Sequence, residues 1–77
     1  MKLQILGSGC AKCNALAQHS AEAANALGLD YELEKITDMN AIIDAGVMST
    51  PALAVDGEVK SAGRLLSVEE IKRLLSA

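Results

Sequence analysis

The sequence predicts an α/β domain in which three helices cover a four-stranded mixed sheet, in the order strand, helix, strand, helix, strand, strand, helix (βαβαββα). Three observations predict this class. The opening strand–helix–strand pattern calls for a parallel crossover. Asp56-Gly57, between two short extended runs, is a strong hairpin signal, and an amphipathic segment lies near the end of the chain. With 77 residues, we expect one domain that spans residues 1–77.

The first half of the chain contains two predicted strands and one long predicted helix. Lys2 to Leu6 is a short apolar strand, and Gly7-Ser8-Gly9 follows as a loop. Cys10 to Leu27 has helical spacing and ends at Gly28, which suits a left-handed cap position. Tyr31 to Ile36 alternates in polarity and predicts the second strand. The helix should bury one stripe, formed by Cys13, Leu16, Ala17, Ser20, Ala24 and Leu27.

The second half contains a short helix, a hairpin and a last helix. Asp38 is a predicted N-cap for the short helix, which ends at Gly46. Its predicted apolar face consists of Met39, Ile42 and Ile43. Ala52 to Val55 and Glu58 to Ser61 form the two strands of the hairpin. The segment Ser67–Glu70 has the pattern of a capping box and begins the last helix. The apolar positions of that helix are Val68, Ile71, Leu74 and Leu75.

Composition excludes several classes of partner. The chain is 51% hydrophobic, but Tyr31 is its sole aromatic residue, so the core must be aliphatic. The lack of aromatic stacking platforms and the net charge of −3 argue against nucleic acid. No apolar run approaches the roughly 18 residues of a membrane span, and no signal peptide is apparent. We therefore expect a cytoplasmic protein with neither a nucleic-acid nor a membrane partner.

The sharpest chemical signal is the pair Cys10 and Cys13, one helical turn apart at a predicted helix N-terminus. The free N–H groups and the helix dipole at such a terminus stabilise a thiolate, and Lys12 adds a positive charge. Cys10 should lie at the exposed tip, while Cys13 should turn inward. Thiol–disulfide exchange needs this asymmetry, because one thiolate attacks and a shielded thiol resolves the mixed disulfide. A structural disulfide across so short a loop would stabilise little.

Two other interpretations of the cysteines stay open. Free cysteines are often small buried hydrophobes, and two thiolates suit a soft metal such as Cu(I) or Zn. A zinc site would need two more ligands, and His19, the sole histidine, lies six residues beyond Cys13. We expect His19 on the surface and predict no metal ligands.

The glycines before the cysteines and the single proline also have competing interpretations. Gly7 and Gly9 resemble part of a dinucleotide fingerprint, but its third glycine would fall on Lys12. These glycines are better explained by a loop that bends to expose the first cysteine.

Thr50-Pro51 opens a strand. From the residues alone Pro51 should be trans, since only about 5–6% of X–Pro bonds are cis.

Taken in order, these segments resemble thioredoxin-like proteins, and more narrowly the small redox-active disulfide proteins of bacteria and archaea. The resemblance covers essentially the whole chain and implies a thioredoxin-like fold. It is carried by Gly9-Cys10-Ala11-Lys12-Cys13, Gly46–Leu53, Val55-Asp56-Gly57 and Gly63.

The resemblance implies a role for each matching position. Cys10 would be the nucleophile and Cys13 the resolving thiol. Pro51 would be a cis-proline that faces the pair, with the Thr50 backbone pairing with a bound substrate strand and Gly63 near the active-site surface. The residues expected to contact substrate are Gly9, Ala11, Lys12, Thr50, Pro51 and Gly63. The first strand differs from that of thioredoxin, because it holds no carboxylate that could move a proton for the resolving thiol.

We therefore expect a thiol–disulfide oxidoreductase that exchanges a Cys10–Cys13 dithiol with protein or small-molecule disulfides. Its only redox group would be that disulfide, with no further cofactor. Its partners would be disulfide-containing proteins and a reductase, and it would act as a monomer. One alternative is a copper or zinc binding or transfer module that uses the same cysteines. Another is a thioredoxin-fold binding domain without turnover.

Overall fold

The computed structural model, which describes residues 1–76, confirms the predicted fold class and order of elements. Each predicted strand and helix is present within one or two residues of its expected limits. The elements are β1 (Lys2–Leu6), α1 (Ala11–Ala26), β2 (Glu32–Ile36), α2 (Met39–Asp44), β3 (Ala52–Val55), β4 (Glu58–Ala62) and α3 (Val68–Ser76).

The four strands form one mixed sheet in the order β2-β1-β3-β4. β1 runs parallel to β2 and antiparallel to β3, and β3 is antiparallel to β4. At its carboxyl end, β1 pairs on both sides, since Leu6 lies opposite Ile36 in β2 and Ala52 in β3. The chain that leaves β1 therefore emerges beside the chain that enters β3.

The hairpin between β3 and β4 is built as its turn residues predict. Asp56 and Gly57 both adopt positive φ, 50° and 85°, as a two-residue turn of the twisted hairpin type requires. The Asp56 carboxylate also accepts a hydrogen bond of 2.7 Å from the Lys2 N–H, which ties the turn to β1. A register shift between Leu53 and Ala54 marks a bulge in the β3–β4 ladder.

Two aliphatic clusters cover the two faces of the sheet. The larger cluster packs α1 and α3 against one face and is formed by Leu3, Ile5, Leu16, Ala17, Ala23, Ala24, Leu53, Leu66, Ile71 and Leu75. The smaller cluster packs α2 against the other face and is formed by Leu6, Ile42, Val47, Ala52 and Ala54. Successive residues of β1 and β3 contribute to opposite clusters, as the alternation of side chains along a strand requires. The core is aliphatic, as composition predicts, and Tyr31 only packs against its margin.

Some expected limits and faces were wrong. Leu27 is 37% exposed, so the buried stripe of α1 ends one turn earlier than expected. β2 begins at Glu32 instead of Tyr31, because its pairing with β1 starts there, opposite Lys2. His19 is half-buried rather than a free surface residue, and its Nδ1 lies 2.8 Å from the Leu66 carbonyl oxygen.

The predicted apolar face of α2 was also wrong in two of its three positions. Ile42 is buried, but Met39 and Ile43 are 58% and 60% exposed. The helix has only six residues, fewer than two turns, so only a narrow stripe of it can face the sheet. Within residues 1–76, no helix is long and apolar enough to cross a membrane.

The neighbouring isoleucines of α2 provide a matched test of this packing. Ile42→Ala should lower the free energy of unfolding by about 2–5 kcal/mol, because it removes a buried side chain and leaves a cavity. Ile43→Ala should change it by no more than about 0.5 kcal/mol, since that side chain is mostly in solvent. Urea unfolding followed by circular dichroism measures both variants, and equal losses would contradict the packing of α2 described here.

Candidate active site

Cys10 and Cys13 lie at the N-terminus of α1, immediately after the loop that leaves β1. The Cys10 side chain is exposed, whereas Cys13 is buried at 4% exposure. Their Sγ atoms are 3.0 Å apart. Gly9 has φ of +86°, a conformation that favours glycine, and it turns the chain into the helix. The structure therefore has the predicted arrangement of one outer and one inner sulfur in contact.

Cys10 occupies the N-cap position but leaves it without a side-chain hydrogen bond. Its backbone is extended, at φ −71° and ψ 172°, and its carbonyl accepts the first helical bond, 3.0 Å from the Asn14 nitrogen. The first turn of α1 holds no acidic residue. The free N–H groups and the positive end of the helix dipole are therefore directed at the Cys10 sulfur without a competing carboxylate.

These surroundings lower the pKa of the Cys10 thiol below its ordinary value. The largest cause is the hydrogen bond from the Cys13 thiol, followed by the Cys13 backbone N–H. Desolvation acts in the opposite direction and is outweighed, with the Lys12 and Cys10 N–H groups adding smaller favourable contributions. Lys12 thus acts through its backbone.

The loop before β3 lies close to Gly7, the residue that packs against the inner cysteine. The Thr50–Pro51 peptide bond is cis, as the family resemblance implies and against the trans form favoured by the residues alone. Pro51 is buried and Thr50 is exposed. A β-carbon at Gly7 would contact both the Cys13 sulfur and, at 3.7 Å, the Thr50 β-carbon. Gly7, just after β1, is therefore close to both Cys13 and this loop.

Gly63, just after β4, supports the same loop. Its N–H donates to the Pro51 carbonyl oxygen at 2.9 Å. A β-carbon at position 63 would lie 2.9 Å from the Ser49 β-carbon, so a larger residue would press on the loop. Gly63 thus lies next to the loop that contains Ser49, Thr50 and Pro51, called the proline loop below.

The family model described as a thioredoxin domain matches residues 1–76. This chain belongs to that family. A protein named thioredoxin from Methanothermobacter thermautotrophicus is 53% identical over 76 residues, which cover 99% of both chains. A second protein of that name, from Methanocaldococcus jannaschii, is 40% identical over 75 residues, or 97% of this chain and 86% of the relative. The match spans the cysteine pair, the proline loop and Gly63 together.

The predicted site residues lie around Cys10 and on the loops before β3 and after β4. Gly9, Ala11 and Lys12 are exposed around Cys10, while Thr50, Pro51 and Gly63 belong to the loops described above. Sequence reasoning missed two contributors. It explained Gly7 only by loop bending, although Gly7 packs against Cys13, and it did not single out Ser49, which packs against Gly63. A bare glycine or serine carries no sequence signal for such contacts, which depend on β1, β3 and β4 being neighbours.

The donor groups near the site are two sulfurs without further metal ligands. Within residues 1–76, no cluster of three or more His, Cys, Asp or Glu side chains is placed to hold a metal ion. In the same part of the chain, Ser20 is the one buried polar side chain, and its hydroxyl donates to the Leu16 carbonyl oxygen. The Cys13 thiol thus has no buried carboxylate beside it, as the first strand predicts.

The causes of the lowered Cys10 pKa predict the effect of two substitutions. Cys13→Ala removes the thiol that donates to Cys10, so the pH midpoint for ionisation of Cys10 should rise toward the ordinary value of about 8.5. Lys12→Gln keeps the backbone N–H, so the midpoint should stay where it is in the parent. The pH dependence of Cys10 alkylation by iodoacetamide, located by peptide mass, measures all three proteins. A large shift in Lys12→Gln with none in Cys13→Ala would reverse this assignment.

Proposed function

We propose that this protein is a dithiol–disulfide oxidoreductase in which Cys10 is the nucleophile and Cys13 the resolving thiol. One observation carries the proposal: an exposed sulfur with a lowered pKa lies 3.0 Å from a buried sulfur at a helix N-terminus. Exposure allows an outside disulfide to reach Cys10, and the lowered pKa provides the thiolate that attacks it. Membership in the thioredoxin family supports the same assignment.

In the first step, the Cys10 thiolate attacks one sulfur of a substrate disulfide in line with its sulfur–sulfur bond. A bond forms between Cys10 Sγ and that sulfur while the substrate bond breaks. The departing sulfur leaves as a thiolate and takes a proton from solvent. The product is a mixed disulfide between Cys10 and the substrate.

In the second step, Cys13 loses its proton and attacks Cys10 Sγ. The Cys10–Cys13 disulfide forms, and the remaining substrate sulfur leaves as a thiolate that is protonated in turn. In total, the substrate disulfide gains two electrons and two protons, and the cysteine pair loses them. A reductase or another dithiol must return them, so the protein needs a second partner. With no buried carboxylate beside Cys13, solvent takes its proton.

The substrate should bind across the exposed tip of α1 and the proline loop. Gly9, Ala11 and Lys12 form the exposed surroundings of Cys10, and Thr50 lies close to Gly7, the residue that packs against Cys13. We expect an extended substrate segment to pair with the Thr50 backbone, while Pro51 and Gly63 keep that loop in place. Such a reversible pair suits a reducing compartment such as the cytosol.

Trapping experiments test the order of attack. Cys13→Ser should accumulate covalent complexes with disulfide substrates through Cys10, because the second step is blocked. Cys10→Ser should form none and should reduce insulin disulfides at the rate of dithiothreitol alone. Insulin turbidity and non-reducing electrophoresis with peptide mass mapping measure the two effects. Reduction of insulin by Cys10→Ser at the parent rate would show that the assignment is wrong.

Metal analysis distinguishes this proposal from the use of the same thiols as metal ligands. The protein purified without added reductant should contain no stoichiometric copper or zinc, and two thiols per chain should appear only after reduction. Elemental mass spectrometry and thiol alkylation measure these quantities. Stoichiometric metal that protects both cysteines from alkylation would instead favour a metal-handling module.

A further inference from the structure

Gly7 is a buried residue at the end of β1, and its backbone conformation does not explain why it is glycine. Its φ lies outside the left-handed region that distinguishes the positive-φ glycines of this chain. Its N–H donates to the Ile36 carbonyl oxygen at 2.9 Å, so its backbone continues the pairing of β1 with β2. An alanine could adopt this backbone. The reason for glycine therefore lies in the space around it.

That space is occupied by the inner cysteine. A β-carbon at position 7 would overlap Cys13 Sγ and would lie 3.5 Å from Cys13 Cβ and 3.7 Å from Thr50 Cβ. Neither side can withdraw easily, because Gly7 is bonded to β2 and Cys13 lies within α1, where it is 4% exposed. Protein interiors are close-packed, so a methyl group here would displace the sulfur.

We infer that Gly7 is a positioning residue for Cys13: its missing β-carbon leaves the volume in which the resolving sulfur lies, in contact with Cys10. The structural part of this inference stands on the packing alone, and its consequence for catalysis rests on the proposed function. Gly7→Ala should slow the step in which Cys13 attacks the mixed disulfide. Displacing the Cys13 sulfur also weakens its hydrogen bond to Cys10, so the first attack is compared at about pH 9, where an ordinary cysteine is already mostly ionised. At that pH the first attack should change little, because the Cys10 sulfur reacts from the exposed side.

Ellman's reagent, an aromatic disulfide, separates the two steps. Attack by Cys10 releases one nitrothiobenzoate and leaves the other bound through a mixed disulfide. Attack by Cys13 then forms the Cys10–Cys13 disulfide and releases the second. The first phase depends on reagent concentration and the second does not. In Gly7→Ala the second phase should be at least about tenfold slower, since small misplacements of reacting groups cost large factors in rate. At about pH 9, where Cys10 is mostly ionised with or without the Cys13 hydrogen bond, the first phase should stay within about twofold of the parent.

Gly28→Ala is a matched control. Gly28 lies beyond the other end of α1, has φ of +68°, and has nothing within 4 Å of an added β-carbon. This variant also replaces a glycine and loses stability through backbone strain, but it does not touch either sulfur. Both of its phases should match the parent. If the second phase were also slower in Gly28→Ala, general destabilisation would explain the slower attack by Cys13, and the inference would be overturned.

A double-mutant cycle tests the packing without relying on catalysis. Gly7→Ala should lower the unfolding midpoint in the parent but have little effect in a Cys13→Ala background, where the obstructing sulfur is absent. A variant that fails to fold in the parent yet folds with Cys13→Ala would support the inference. An equal loss in both backgrounds, or a second phase in Gly7→Ala as fast as the parent's, would overturn it. Absence of any second phase in the parent would instead refute the proposed function.

Discussion

The unsatisfied N–H groups at the start of α1 are the constraint on which the site depends. An N-cap residue normally supplies an oxygen that accepts from these groups, and here that position holds Cys10, without a side-chain bond. A neutral thiol is a weak acceptor, whereas a thiolate is a strong one. Ionisation of Cys10 therefore strengthens the capping of the helix. The Cys13 thiol is the largest cause of the lowered Cys10 pKa, and the backbone N–H groups of this helix start add to it.

The start of α3 shows the alternative that α1 lacks. There, the Ser67 hydroxyl accepts from the Glu70 N–H at 3.1 Å, and the Glu70 carboxylate accepts from the Ser67 N–H at 3.0 Å. The Ser67 N–H is the main cause of the lowered Glu70 pKa. This capping box closes its helix with ordinary side chains. At the start of α3, side-chain oxygens permanently accept hydrogen bonds from the backbone. At the start of α1, the acceptor is the Cys10 sulfur, whose charge changes during the reaction.

Features that depend on a few neighbouring residues could be predicted from sequence. The Asp56-Gly57 turn and the Ser67–Glu70 capping box are local, and so is the unequal burial of the two cysteines, which follows from their spacing. Features that depend on which elements become neighbours could not. Ile43 is exposed because only a narrow stripe of α2 contacts the sheet. The hydrogen bond between His19 Nδ1 and the Leu66 carbonyl oxygen joins α1 to the segment before α3. The cis bond at Thr50–Pro51 followed only from family resemblance, because local propensity favours trans.

The two glycines of the loop after β1 act by different physical means, although sequence reasoning explained both by a loop that bends to expose Cys10. Gly9 has positive φ and open space around an added β-carbon, so it is needed for its conformation alone. Gly7 has an ordinary conformation and no space, because the Cys13 sulfur fills it. The positive φ of Gly9 turns the chain so that Cys10 is exposed. The missing β-carbon of Gly7 leaves room for the buried Cys13. The spacing of the cysteines gives them unequal exposure, and the backbone of this three-residue loop allows both positions before any charged group contributes.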